Sequence, residues 1–179
     1  MAKLVVGLIM RQRELIAPVA GDLTARFGAI DMVSPWFDFT YTHYYEPEMG
    51  TPLFRRMLVL KALIRQRDLA DIKQQTNAIE RRYYRDGRRS VNIDPGYLLR
   101  ERFVLATGKN YSHRIYIGKG IYADLTLIYR KGAFEPLAWT YPDYADRPMR
   151  DYLERVRKKY VEDLKAVDDK EGLEEEAEK

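Results

Sequence analysis

SHRIYIGKGIYADLTLIY, residues Ser112–Tyr129, holds two runs of alternating side chains on either side of Gly118-Lys119-Gly120. A period of two is that of a β-strand, and glycines supply the positive φ that a tight reversal needs, so the stretch reads as a β-hairpin. With a three-residue loop Ile117 opposes Ile121, Tyr116 faces Tyr122, Ile115 faces Ala123 and Arg114 faces Asp124. One face then carries Ile115, Ile117, Ile121, Ala123, Leu125 and Leu127 and is expected in the core. The other presents Arg114, Tyr116, Tyr122, Asp124 and Thr126 together. A slip of one residue would exchange the faces. His113 falls on the core side of this register.

Downstream, Lys131-Gly132 marks a turn into a further strand through Leu137–Thr140, and Tyr152, Val156, Tyr160 and Leu164 give a helix over Met149–Leu164. Upstream, Leu4–Met10 is an apolar strand. Leu15, Ile16, Val19, Leu23 and Phe27 fall on one helical face that Gly28 ends, with Pro18 close to the helix start. Phe37, Phe39 and Tyr41 alternate with polar residues as a strand, and Arg56–Ile64 reads as a central strand covered on both sides. Asp68 is placed to cap a helix striped by Leu69, Ile72, Thr76, Ile79 and Tyr83, and Ser90–Asp94 is a short strand stopped by Pro95-Gly96. The expected class is α+β: a ferredoxin-like β-α-β-β-α-β first half, added antiparallel hairpins and a C-terminal helix.

A chain of 179 residues fits one domain, expected over 1–161. Residues 162–179 carry nine acids against three lysines, a net of −6, and are expected as an acidic tail, a frayed helix end or disordered. The remaining 28 bases and 18 acids leave the body at +10, a balance that attracts phosphate-bearing partners. Its arginines cluster at Arg55–Arg56, Arg65–Arg67, Arg81–Arg89 and Arg100–Arg102. With no cysteine, disulfides, thiolate zinc sites and thiol nucleophiles are excluded. Leu4–Met10 is too short for a membrane span, so a soluble cytoplasmic protein is the expectation.

Candidate chemistry concentrates between Asn92 and Tyr144, where Tyr, His, Asn and Arg stand between glycines. These groups offer hydrogen bonds, ring faces and one side chain that titrates near neutrality. His113 and Asp94 are candidate bases. Lys109, Asn110, Tyr111, Arg114, Tyr116, Tyr122, Asp124, Tyr97, Tyr141 and Asp143 are candidate ligand-binding residues. Each has a plainer reading: Arg114/Asp124 as a cross-strand ion pair, His113 as a core histidine, Asp94 as turn chemistry before Pro95-Gly96. Asp38, Glu46, Asp94, Asp124 and Asp143 could gather around Mg²⁺ or Mn²⁺, but no local spacing supports it, and no metal ligand is assigned. Neither Gly108-Lys109 nor Gly118-Lys119 completes G-x-x-x-x-G-K-[ST], so a phosphate loop is absent.

The segments FGAIDMVSPWFDFTYTHYYEPEMG, TNAIE, VNIDPGYL, ATGKNYSHRIYIGKGIYADLTLIY and TYPDY together resemble one uncharacterised prokaryotic family, a domain of unknown function. Some of its members carry an automatic GTP-binding label. The resemblance spans nearly the whole chain short of the acidic tail and implies a single-domain prokaryotic protein, with no catalytic residue or cofactor to transfer. Three functional readings stand open. The first is a module binding a phosphate-bearing ligand, a nucleotide or single-stranded nucleic acid, with basic groups on phosphates and Tyr faces under bases. The second is a metal-assisted hydrolase or transferase acting on a phosphate compound. The third is a subunit whose tyrosine-rich face meets a protein partner or a second copy of itself.

Overall fold

The computed structural model describes the backbone of residues 1–177 and the side chains through Val167. Its axis is β1 (Ala2–Met10), whose nine residues are all buried, so both faces of the strand are covered. Then follow α1 (Ile16–Phe27), β2 (Ile30–Val33), the two-residue β3 (Phe37–Asp38), the one-turn α2 (Glu46–Met49) and β4 (Phe54–Ile64). After α3 (Leu69–Arg82) comes a small hairpin of β5 (Tyr84–Arg85) and β6 (Arg88–Arg89), then β7 (Val91–Leu98), β8 (Arg102–Thr107), β9 (Arg114–Gly118), β10 (Ile121–Arg130) and β11 (Ala133–Pro136). The short α4 (Pro142–Ala145) leads into α5 (Arg147–Ala177). Pro18 lies in the first turn of α1, where a missing N–H breaks no helical bond. Gly28, at φ +90°, ends that helix and donates to the Thr24 carbonyl at 2.9 Å.

The protein is mixed α+β, dominated by one antiparallel sheet with the order β11-β10-β8-β7-β1-β4-β2. β3 pairs β4, and β9 pairs β10. Interrupted by β3, α2 and the small β5–β6 hairpin, the elements β1, α1, β2, β4, α3 and β7 follow one another along the chain, and these strands lie side by side as β7-β1-β4-β2. Alternation divides β1 between two cores. Leu4, Val6, Leu8 and Met10 pack with Val19 and Leu23 of α1 and Ile72 and Ile79 of α3. Val5, on the other face, joins Met57, Val59, Tyr144, Tyr152 and Val156 beneath α4 and α5. A third small cluster, Ile9, Phe39, Met49 and Leu53, anchors the long segment between β3 and β4. Among the described residues no helix is long and apolar enough to cross a membrane.

Several local expectations are revised. The strand expected over Phe37–Tyr41 is only β3, which pairs β4; Phe39 goes to its own cluster, and an unexpected strand, Ile30–Val33, pairs β4 further along. β7 does not stop at Pro95. Pro95 pairs Val6, and the ladder to β8 starts one residue later at Gly96↔Leu105, so the missing N–H falls at a ladder's end. Asp68 makes no side-chain cap; a short 3₁₀ turn, Gln66–Asp68, enters α3 instead. The last strand is Ala133–Pro136, and Leu137–Thr140 is a turn in which Thr140 N–H donates to the Leu137 carbonyl. α5 continues as helix through most of the expected acidic tail, to Ala177; residues 178–179 lie outside the described ones.

The hairpin keeps three expected pairs, Tyr116↔Tyr122, Ile115↔Ala123 and Arg114↔Asp124, but a bulge moves Gly118 rather than Ile117 opposite Ile121. Ile117, Ile121, Ala123, Leu125 and Leu127 join the core as expected, and the face assignment changes at Ile115 and on the polar side. Ile115 is 71% exposed, whereas Arg114, Asp124 and Thr126 are buried. β9 is an edge strand without a helix over Ile115, and its polar face is the one that the neighbouring loops cover.

Candidate functional site

Partners read across the sheet bring distant segments onto one face. Asp124, Leu105, Gly96 and Val5 are successive neighbours, Asp94 and Met57 flank Gly7, and Asn92 and Arg55 flank Ile9. Arg114, Tyr116 and Tyr122 belong to the same face through their pairing with β10. The loops that overhang it are residues 39–50, 108–113 and 137–146.

The cleft is built over Gly7. A β-carbon there would lie 2.8 Å from the Tyr144 hydroxyl and 2.9 Å from Arg55 Nη1, so the missing side chain admits a buried guanidinium into the sheet's covered face. Arg55 donates to Tyr144 Oη at 2.8 Å and places Nη2 2.8 Å from Asp143 Oδ2. That ion pair is close but not aligned as a hydrogen bond: Asp143 Oδ2 and Arg55 Nε are both buried without a hydrogen-bond partner among the described residues. Unsatisfied buried polar atoms of this kind are rare in folded proteins.

Asp94 forms the floor. Lys73 Nζ donates to its Oδ1 at 3.1 Å and Asn92 Nδ2 to its Oδ2, yet 26% of the side chain stays accessible. Burial alone would raise its pKa, but Lys73 and Arg55 outweigh it and hold Asp94 below the usual carboxylate range. The Tyr45 hydroxyl is pushed up by burial and by Asp94, and the Tyr144 hydroxyl by burial, so both remain protonated donors.

The strand edge beside Asp94 is closed by side chains. β8 does not extend alongside Ile93, and α3 takes its place: Glu80 accepts from the Ile93 N–H at 2.8 Å and Lys73 donates to the Ile93 carbonyl at 2.8 Å. Burial pushes the Glu80 carboxyl up despite that N–H, Lys73 and Arg89. Arg89 ties the edge to α2, bonding Glu48 at 2.6 Å, Glu80 at 3.3 Å and Asn92 at 2.8 Å.

Next to this cleft, Arg114 Nε donates to Asp124 Oδ2 at 2.8 Å, Nη1 to the Lys109 carbonyl at 3.0 Å and Nη2 to the Tyr141 hydroxyl at 2.9 Å. His113 precedes the strand in a turn, so strand alternation does not govern it. It lies on the Asp124 side, with Nε2 3.4 Å from Asp124, rather than in the core. Its ring stacks between Trp139 at 5.1 Å and Tyr111 at 6.1 Å. Lys109 Nζ sits 3.8 Å from the centre of the Tyr44 ring. Four exposed rings meet this loop and Arg114, namely Tyr44, Tyr111, Trp139 and Tyr141; Tyr41 is exposed as well, and so is Tyr116, which packs on Tyr122. Tyr41 is tied to Asp146, whose hydrogen bond, with burial, raises its pKa to about 12.

Among the expected residues, Asp94, His113, Arg114, Tyr116, Tyr122, Asp124, Tyr141 and Asp143 thus meet on one face. Lys109, Asn110 and Tyr111 form the loop at its border. Tyr97 does not join them: it pairs Leu4 and Val104, points to the opposite face and is buried. Asp94, Asp124 and Asp143 each face a cation rather than one another. Among the described residues no three His, Asp or Glu side chains are grouped to hold a metal ion. Sequence reading missed Arg55 and Tyr45, which precede the glycine-spaced run, Lys73 and Glu80, which lie on helix α3, and Trp139, which lies inside the run but is not singled out. The available signal was Gly7, an isolated glycine inside an apolar strand, which points to a close approach. As it stands, the arrangement can accept hydrogen bonds at Asp94, donate them from Tyr45, Tyr141 and Arg55, and stack planar groups on the rim.

Residues 1–160 match the family described as a domain of unknown function, DUF4416, and the chain belongs to that family. No curated protein and no solved structure matches it. The segments NIDPGY, KNYSHRIY and TYPDY supply Asp94, the 109–114 loop and Tyr141–Tyr144, so stretches far apart in sequence converge on this cleft.

Proposed function

We propose that the protein binds a phosphate-bearing ligand, a nucleotide or a single-stranded nucleic acid, across this face. The observation that supports the reading is the gathering of four exposed aromatic rings, Tyr44, Tyr111, Trp139 and Tyr141, against Lys109, His113 and Arg114. Exposed rings cost solvation and are seldom grouped without a partner. Bases stacked on them contribute about 1–3 kcal/mol each, whatever the base, while a +10 body draws the phosphates in. Asp94 and the Tyr45 and Tyr141 hydroxyls would meet sugar or base edges.

The test is fluorescence anisotropy of a labelled single-stranded oligonucleotide, with mononucleotides as competitors, at about 50 and 200 mM salt. Binding that weakens steeply with salt, tolerates base identity and drops about tenfold in Tyr111→Ala supports the reading. Equal competition by one mononucleotide narrows it to a nucleotide site. No binding at low salt sinks it.

A second reading, a hydrolase or transferase acting on a phosphate compound, draws on the ionised, partly accessible Asp94 and on the His113–Asp124 contact. Turnover abolished by Asp94→Asn and by His113→Ala, with the fold intact, would favour it; unchanged turnover in both would exclude these residues as its base.

A further inference from the structure

We propose that the groove between α2 and the β5–β6 hairpin is a second anion site, built for the terminal phosphate of a small phosphomonoester or for a pyrophosphate group. None of the exposed rings of the aromatic face lines it, and it does not rest on the reading given for that face.

The groove encloses about 320 Å³, and Arg11, Arg85, Arg88 and Arg89 line it against Glu46 and Glu48. Both glutamates are already engaged. Glu46 Oε1 lies 2.8 Å from His43 Nδ1, and Glu48 accepts from Arg89 at 2.6 Å. Arg89 is further held by Glu80 and Asn92. Among the described residues Arg11, Arg85 and Arg88 have no carboxylate within ion-pair distance; Arg85 donates only to the Tyr84 carbonyl, at 3.1 Å. Three arginines without an ion-pair partner among the described residues therefore line one small cavity.

The backbone holds two of them together at a cost. Asp86 and Gly87 both take positive φ, +50° and +72°, the conformation of a two-residue hairpin turn, and this sets Arg85 directly opposite Arg88. Like charges opposite one another destabilise a ladder, and a hairpin with two residues per strand has little to offset that. An anion between them removes the repulsion. Arg11, leaving the end of β1, enters the same space beside Gly50, where a β-carbon would lie 3.1 Å from its Nη1. Gln12 and Ser90 add neutral donors at the wall.

The chemistry selects among phosphates. Guanidinium forks match pairs of phosphate oxygens, and three converging cations suit a dianion better than the single charge of a phosphodiester. The volume is at the small end for ligand sites, so it admits a terminal phosphate or pyrophosphate group with a small body, not a folded chain.

The experiment is thermal denaturation and calorimetric titration of the full chain with inorganic phosphate and pyrophosphate, against chloride at matched ionic strength. Wild type, the Arg85→Gln/Arg88→Gln double variant, Arg11→Gln and Tyr111→Ala are compared. Pyrophosphate is expected to raise the Tm of the wild type and of Tyr111→Ala equally, and to bind each Arg variant about tenfold more weakly or worse. Without anion, the double variant is expected to be at least as stable as the wild type, because the repulsion is gone. The proposal is overturned by an absent shift relative to chloride in the wild type, by an undiminished shift in the Arg variants, or by loss of the shift in Tyr111→Ala.

Discussion

Gly7 is the residue on which the cleft turns. Its neighbours in β1 are large and apolar, and only the missing side chain lets Arg55 and Tyr144 meet over the strand. Gly7→Ala is expected to destabilise by about 1–3 kcal/mol, since the added methyl meets a buried guanidinium and a hydroxyl that cannot both retreat. Gly21→Ala, in α1 with nothing within 4 Å of the added carbon, is expected to stabilise by up to about 1 kcal/mol. Urea unfolding of the two variants checks both signs. Asp94 sets a pH signature at the same scale. Its folded pKa lies below its unfolded value of about 3.9, so its contribution is complete above that pH and is lost as pH falls through the lowered folded value. Asp94→Asn leaves Lys73 and Arg55 without this counter-charge and is expected to cost up to about 3 kcal/mol at pH 7, with a smaller loss below pH 4. Urea midpoints measured from pH 7 to pH 3 test this: a deficit that does not narrow towards acid contradicts the assignment.

At the scale of elements, two devices hold the frame that the cleft needs. In the first, α3 stands in for a missing strand beside Ile93, through Glu80 and Lys73. Lys73→Met is expected to speed amide hydrogen exchange along β7 near Ile93 and Asp94 far more than in β4. In the second, Lys3, fully buried, bonds Asp31 at 2.7 Å and Asp163 at 2.6 Å, with Lys159 beside both carboxylates, and so pins α5 to β1 and β2. Burial would raise Asp163, but the bonds from Lys159 and Lys3 lower it. Lys3→Met is expected to cost about 3 kcal/mol, and less when combined with Asp163→Asn, because without Lys3 the two carboxylates share Lys159 alone, whereas the double variant restores one cation to one carboxylate. Much of this layer was legible in the sequence. Apolar period and turn glycines located β1, α1, β4, α3 and the β9–β10 hairpin to within about two residues, and found the start of α5 but not its end. What periodicity could not report was which side of an edge strand a loop would cover. Ile115 and Arg114 therefore exchanged the expected environments, and Phe39 followed a long-range cluster rather than its own alternation.

Across the whole molecule, one sheet serves two purposes. The face under α1 and α3 is apolar and holds the fold together. The face under α4 and α5 turns polar past Gly7, where its partners are the loops. The candidate residues within the run from Asp94 to Asp143 could be named from composition, because Tyr, His and Arg between glycines are unusual on a merely soluble surface. Their partners could not, since Arg55, Lys73 and Glu80 reach the cleft only through sheet order and helix packing. Two tryptophans report on the account separately: Trp139 stacks on His113 and donates its indole N–H to the Leu125 carbonyl at 2.8 Å, whereas Trp36 lies with Arg13, Phe54 and Arg56. The most direct measurement is therefore the pair of indole N–H signals in a nitrogen-15 correlation spectrum, followed while a short single-stranded oligonucleotide is added at low salt. The account predicts that the Trp139 signal moves progressively while Trp36 stays in place, and that added salt reverses the change. A Trp139 signal that never moves, or two signals that move alike, would contradict it.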